Sequence, residues 1–316
     1  MAECSIFDYE SKEVYDSISK VKTKNYSVSQ MKVKDFWKQG YTGKGIRIGI
    51  IDSGCDFNHE ALKDKVITGE NFTDDDAGNY YLYNDYEGHG THVAGIIAAE
   101  NMGNGKVMGI APDVELVIAK ALNKNGRGTY DNIVKAIQFC IDNKCDIINM
   151  SLGGSSPDGR LEAKIKEAVY DKNIAVVVAS GNDAKGDDGQ IDEINYPAYY
   201  EPVISVGALD KNFHVTKFSN SNKYVDVIAA GKDIISTYKD NTYTALDGTS
   251  MACPQISGIL ALLKQKFKVD HRREPSESEL YAQLVNYCRE IKGVNYYCQG
   301  NGFVDLSLKK RIKSVK

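Results

Sequence analysis

Four short strings in the sequence carry side chains able to move a proton, attack a carbonyl carbon or stabilise a developing negative charge. IGIIDSG delivers Asp52 at the end of an apolar run, and GHGTHVAG holds His89 among small residues. VVVASGN places Asn182 just after a second apolar run, and GTSMACP sets Ser250 between a glycine and the helical pattern ISGILALL. A serine hydroxyl is a poor nucleophile until a base removes its proton. An imidazole does that when a carboxylate fixes its tautomer and stabilises the imidazolium that forms. An asparagine amide can donate to the oxyanion of a tetrahedral intermediate. The N-terminus of the helix that starts near Ser250 adds backbone N–H groups and the positive end of a dipole.

Taken singly, each string has a plainer meaning. Strands often end in aspartate, His89 or His92 could be a structural histidine, a serine before a helix is usually its cap, and asparagine after glycine is a turn signal. What distinguishes the set is its joint occurrence, with each residue at the boundary of a regular element.

Those elements can be read from the apolar runs at 46–51, 116–121, 147–150, 175–179, 203–206 and 225–229, which are rich in β-branched residues and do not alternate with polar ones. Such runs suit strands covered on both faces. Between them lie helical spacings, such as Ile133, Ala136, Ile137 and Cys140, or Leu161, Ile165, Ala168 and Val169. The pattern predicts an α/β fold with a mostly parallel central sheet, helices on both faces and chemistry at the carboxyl ends of the strands. Two further helices are expected over about 250–267 and 277–287, the second opened by a capping box of Ser276 and Glu279. Residues 1–27 show no periodicity and read as an N-terminal arm, with 28–316 as one domain.

The charge balance, 39 Lys and Arg against 43 Asp and Glu, leaves no basic block to track a phosphate backbone, so nucleic acid is not an expected partner. No stretch approaches the ~18 apolar residues a membrane span needs, and the acidic start lacks the cationic and apolar parts of a secretory signal. A cytoplasmic location is expected, and seven cysteines without a CxxC pair fit free thiols in a reducing compartment.

The ordered strings IIDSG, HGTHVAG, SLGG, ASGN and GTSMACP resemble the subtilisin family of serine proteases, over about residues 36–306. GENFTDDD, an acidic insert after Asn182 and a closing GNGF are similar to the intracellular subtilisins of Gram-positive bacteria. The resemblance implies a subtilisin-like three-layer sandwich and a serine endopeptidase with Asp52, His89 and Ser250 as its triad. Asn182 and the Ser250 N–H would form the oxyanion site. It also implies a substrate groove with Ser151, Leu152, Gly153 and Gly154 on one wall and Gly126, Arg127 and Gly128 on the other. A peptide or protein substrate would add between them as a strand. Asn195 aligns with the floor of the pocket for the residue preceding the cut. A polar floor and Arg127 together suggest a preference for polar or acidic residues.

Structural calcium is implied by the family, with Asp74, Asp75 and Asp76 as candidate oxygen ligands and a solvated turn as the other reading; no organic cofactor is expected. Similar enzymes form homodimers. The sequence departs from the family at Ala61, where an acid is expected, in the loop 100–106, at Ala230 in place of proline and at Gln255 in place of histidine. It also lacks the Leu-Ile-Pro-Tyr element with which intracellular subtilisins block their own sites, so self-inhibition by residues 1–25 stands as a hypothesis. Cys55 and Cys253, each three residues from a triad member, suggest inhibition by bulky thiol reagents. A dedicated leader or precursor-processing protease and a catalytically silent peptide-binding homologue are the competing readings. A nucleotide-binding protein is not, for want of a glycine-rich phosphate loop.

Overall fold

Continuous apolar runs become strands here because each one is buried on both faces, and alternate residues of a strand face opposite sides. The computed structural model describes residues 3–9, 12–102, 105–184 and 192–308; most of the acidic insert after Asn182 lies outside them. The chain opens with β1 (Glu3–Ser5), α1 (Ser27–Gln30) and α2 (Val33–Trp37). There follow β2 (Arg47–Asp52), β3 (Val66–Asn71), α3 (His89–Ala98), β4 (Glu115–Lys120), β5 (Arg127–Thr129), α4 (Tyr130–Asp142) and β6 (Ile147–Met150). Next come α5 (Gly159–Lys166), β7 (Ala175–Ala179), β8 (Ile204–Leu209), β9 (Val225–Ala230), β10 (Ile234–Tyr238) and β11 (Thr242–Leu246). The chain closes with α6 (Thr249–His271), α7 (Glu277–Asn286), β12 (Cys288–Arg289), α8 (Tyr296–Gln299) and β13 (Phe303–Val304).

Among the described residues these strands form a nine-stranded sheet in the order β12-β13-β9-β8-β7-β6-β2-β4-β3. It is parallel throughout except for the antiparallel β12–β13 pair at one edge. Ile48, Ile50, Ile118 and Val177 pack on one side with Val93 and Ile97 of α3 and Ile256 and Leu260 of α6. Their neighbours Ile51, Val117, Val176 and Val178 pack on the other side with Ile133 and Ile137 of α4 and Leu161 and Ile165 of α5. This is the expected three-layer α/β sandwich. At about 1.5–3 kcal/mol for each large apolar side chain buried, the two clusters dominate its stability.

Each apolar run noted in the sequence is a strand of this sheet. Helix α6 runs past the expected end because the His271 ring stacks on Phe267 at 4.0 Å, and left-handed Arg272 then stops it. The capping box opens α7 as expected. The missed strands have identifiable causes. Edge strand β3 is half-exposed and mixes Thr68, Gly69 and Glu70 into its run. Strand β5 is three residues long and exists only through its antiparallel pairing with β1.

Candidate active site

Asp52 ends β2, His89 opens α3 and Ser250 stands in the first turn of α6, all at the carboxyl edge of the sheet. Their exposures are 1%, 0% and 1%. His89 Nδ1 and Asp52 Oδ1 are 2.8 Å apart, and the Ser53 N–H donates to the same carboxylate oxygen at 2.7 Å. His89 Nε2 is buried and makes no hydrogen bond. The Ser250 hydroxyl donates instead to the Ser151 carbonyl at 3.2 Å. The carboxylate and the imidazole are therefore joined, while the hydroxyl is bonded to the Ser151 carbonyl and not to the ring.

The histidine is held from behind by residues the sequence did not single out. Asp85 Oδ1 accepts from Ser53 Oγ and from the Glu87 and Gly88 amides, and its Oδ2 accepts from the Thr91 amide and hydroxyl. Ser53 Oγ in turn accepts from the Gly90 amide, so Asp85 and Ser53 bind the Asp52 turn to the first turn of α3. The place of Asp85, four residues before His89, was the available signal. Burial works against the charged imidazolium, but the Asp52 carboxylate, by charge and by hydrogen bond, outweighs it with help from Glu87 and Asp85. The His89 pKa is thereby raised above its ordinary value. His92 differs: burial and the nearby His89 push it down to about 3, so it stays neutral.

Asn182 follows β7, and its amide oxygen accepts from Thr249 N at 2.9 Å and Thr249 Oγ1 at 2.8 Å. That fixes which end of the amide faces the cleft. The NH2 group donates to a peptide carbonyl, that of Asp8, at 2.9 Å.

The N-terminal arm lies in the expected substrate groove. Ser5 exchanges two hydrogen bonds of 3.0 Å with Gly153, and Ile6 N donates to Gly126 O at 3.0 Å. Cys4 pairs with Gly128 and Ser5 with Arg127 in the antiparallel β1–β5 register. A Cβ on Gly153 would lie 2.5 Å from the Phe7 ring, and one on Gly126, at φ +68°, would lie 2.6 Å from the Ile6 side chain. Only glycine lets the arm approach at these two points. Further along, the Tyr9 ring sits 5.5 Å from the His89 ring and its hydroxyl donates to Glu87 Oε1 at 2.5 Å. Lys12 pairs with Asp233 and with Asp247, the latter at 2.9 Å.

Of the other expected groove residues, Ser151 and Gly154 lie along the same wall. Leu152 is buried in the core beneath it, and the Arg127 side chain is exposed. Asn195 and Phe7 line one cavity of about 460 Å³ together with Asp183 and Glu193. The Asn195 amide donates to the Asp183 carboxylate, so the floor presents acid rather than a free donor.

The acidic run 74–76 is partly engaged by other groups. Asp75 Oδ2 lies 3.0 Å from Lys120 Nζ and accepts from the Lys124 amide, and Asp76 Oδ1 accepts from the Tyr86 hydroxyl. Lys120 is wholly buried and also donates to the Ser53 and Leu122 carbonyls, while Asp76 Oδ2 is buried without a hydrogen-bond partner among the described residues. Among the described residues no three His, Cys, Asp or Glu side chains converge to hold a metal. The expected sensitivity of Cys55 and Cys253 to bulky reagents also fails on geometry. Both are fully buried, and burial raises their thiol pKa values far above the ordinary one. All seven cysteines are buried. The two departures near the site, Ala230 and Gln255, touch each other: Gln255 Nε2 donates to the Ala230 carbonyl at 2.6 Å. Among the described residues no helix is long and apolar enough to cross a membrane.

The sequence model of the Subtilase family matches residues 43–295, from just before β2 to the start of α8. An "Intracellular serine protease" of Paenibacillus polymyxa is 43% identical over 288 residues, covering 91% of this chain and 87% of that protein. A "Major intracellular serine protease" of Bacillus subtilis is 42% identical over 281 residues, covering 89% and 87%. Subtilisin DY of Bacillus licheniformis is 42% identical over 275 residues, covering 87% and 95%. With strands β2 to β9 of the parallel sheet and the elements that carry Asp52, His89 and Ser250 inside the matched span, the chain belongs to the Subtilase family and is a subtilisin-like serine endopeptidase.

Proposed function

We propose that the protein hydrolyses peptide bonds inside the cell through an acyl-enzyme on Ser250, with His89 as base and then acid, Asp52 as its orienting carboxylate, and Asn182 with the Ser250 N–H as oxyanion donors. The observation that carries this reading is the Asn182 amide donating to a peptide carbonyl in the cleft beside the Asp52–His89 pair. An extended substrate lies between β5 and residues 151–154 in place of the arm. Rotation of Ser250 about χ1 moves its hydroxyl from Ser151 O to the open Nε2 of His89. As Oγ attacks the carbonyl carbon, Nε2 takes its proton and the oxyanion forms against Asn182. His89 then gives that proton to the leaving amine, and water repeats the sequence on the acyl-enzyme. The intracellular setting follows the names of the two relatives above. A fluorophosphonate probe tests the proposal: it should phosphonylate the protein once, at Ser250 Oγ with loss of fluoride, and recovery of the mass tag on any other serine would refute it.

Proton transfer to His89 requires the neutral ring, and its pKa is raised. Activity should therefore be lost as pH falls through a value above the ordinary ~6.5 of histidine. A kcat/KM profile whose acid limb lies below that value would contradict the assignment.

Residues 1–27 are proposed to act as an inhibitor in cis. Phe7 lines the cavity whose floor is Asn195, the pocket of the residue preceding the cut, yet the carbonyl on Asn182 belongs to Asp8, one residue further on. The two conditions for cleavage are thus met by different residues, so the arm fills the groove without presenting a bond for attack. Phe7→Ala removes the arm's main apolar anchor, and kcat/KM toward a short peptide should rise about tenfold or more. An unchanged rate constant would show that the arm does not compete with substrate.

A further inference from the structure

Resting on the endopeptidase reading, the arm serves as a ruler for the substrate positions. Phe7 marks the residue before the cut, and Ile6, whose amide donates to Gly126 O, marks the one before that. A Cβ on Gly126 would meet the Ile6 side chain at 2.6 Å and Glu87 Cγ at 3.9 Å, so the Glu87 side chain flanks the space Ile6 fills. Its carboxylate is served by two uncharged donors. The His89 amide reaches Oε2 at 2.7 Å, and the Tyr9 hydroxyl reaches Oε1 at 2.5 Å. The first belongs to the domain and stays. The second belongs to the arm and leaves with it when substrate enters.

A half-buried carboxylate that has lost one of its donors is best satisfied by a donor carrying positive charge, because charge-assisted hydrogen bonds are about twice as strong as neutral ones. The surroundings reinforce this sign, since the Asp52 and Asp85 carboxylates act on the His89 ring together with Glu87. We propose that Glu87 is a specificity-determining residue, selecting lysine or arginine as the second residue before the cut bond. Glu87 then has two uses: it latches the arm through Tyr9, and it reads the substrate that displaces the arm.

The test uses the full chain and peptides identical except at that second position, where they carry lysine, arginine, norleucine or glutamate. Arm occupancy scales the rate constants of all four peptides equally, so ratios of kcat/KM cancel it. Wild type should favour lysine and arginine over norleucine by about tenfold. In Glu87→Gln the ratio should fall to near one, and in wild type it should shrink as salt is added. Equal rates for lysine and norleucine in wild type, or a preference that survives in Glu87→Gln, would overturn the proposal. The wild-type ratio and its salt dependence decide the matter even if the variant fails to fold. Cleavage of none of the peptides, with no fluorophosphonate label on Ser250, would instead bring down the endopeptidase reading on which this rests.

Discussion

Replacing Ser250 with alanine should lower kcat by about 10⁶, the size of loss known for removal of the nucleophile from another subtilisin, and leave KM nearly unchanged. In the proposed mechanism the hydroxyl is the group that forms the acyl bond, whereas substrate is held mostly by main-chain hydrogen bonds to β5 and Gly153. Folding should survive. Among the described residues the Ser250 hydroxyl donates to the Ser151 carbonyl, and loss of one such bond costs about 1 kcal/mol. Thermal unfolding should therefore stay within a few degrees of wild type while turnover disappears. A His89→Ala change should cost about as much, and the double variant little more, because the two residues act as a unit. Retention of more than about a hundredth of wild-type turnover by well-folded Ser250→Ala would mean that another nucleophile does the chemistry.

The parts of this site that could be read in the sequence are those whose meaning is local. Asp52, Asn182 and Ser250 each border an element whose own apolar pattern marks its end: β2, β7 and α6. Other residues take their role from partners far away in the chain. Asp75 looked like a metal ligand because its neighbours are acids, and the residue that decides its role is Lys120, brought to it by the β3–β4 pairing. Gln255 and Ala230 looked like unrelated departures from a family pattern until one was seen to bond the other. The arm shows the same limit most clearly. Strand addition is made of backbone hydrogen bonds, which any residue except proline can supply, so no inhibitory string had to be present for residues 3–7 to dock. The local trace lay on the receiving side, in glycines 126, 153 and 154, where a side chain would collide with Ile6, Phe7 and the Glu3 carbonyl. Burial hid the chemistry of Cys55 and Cys253 for a related reason: proximity to a catalytic residue along the chain says nothing about access.

Asn182→Ala should lower kcat at saturating substrate by about 10²–10³, equivalent to about 2.7–4 kcal/mol of transition-state stabilisation. The magnitude is large because the donor is pre-oriented: both Thr249 bonds fix the amide oxygen, so no reorganisation is needed when the oxyanion forms. The same substitution removes the donor that holds the Asp8 carbonyl, so the arm should bind more weakly and the apparent KM should fall. Loss of catalysis and relief of inhibition therefore oppose each other in kcat/KM, and kcat alone reports the oxyanion contribution. Repeating the substitution in Phe7→Ala separates the two. There the arm is already displaced, so the loss in kcat/KM should approach the full loss in kcat. If kcat in both backgrounds stays within about threefold of its parent, the amide serves only to dock the arm, and the oxyanion must be stabilised by the backbone of α6 without it.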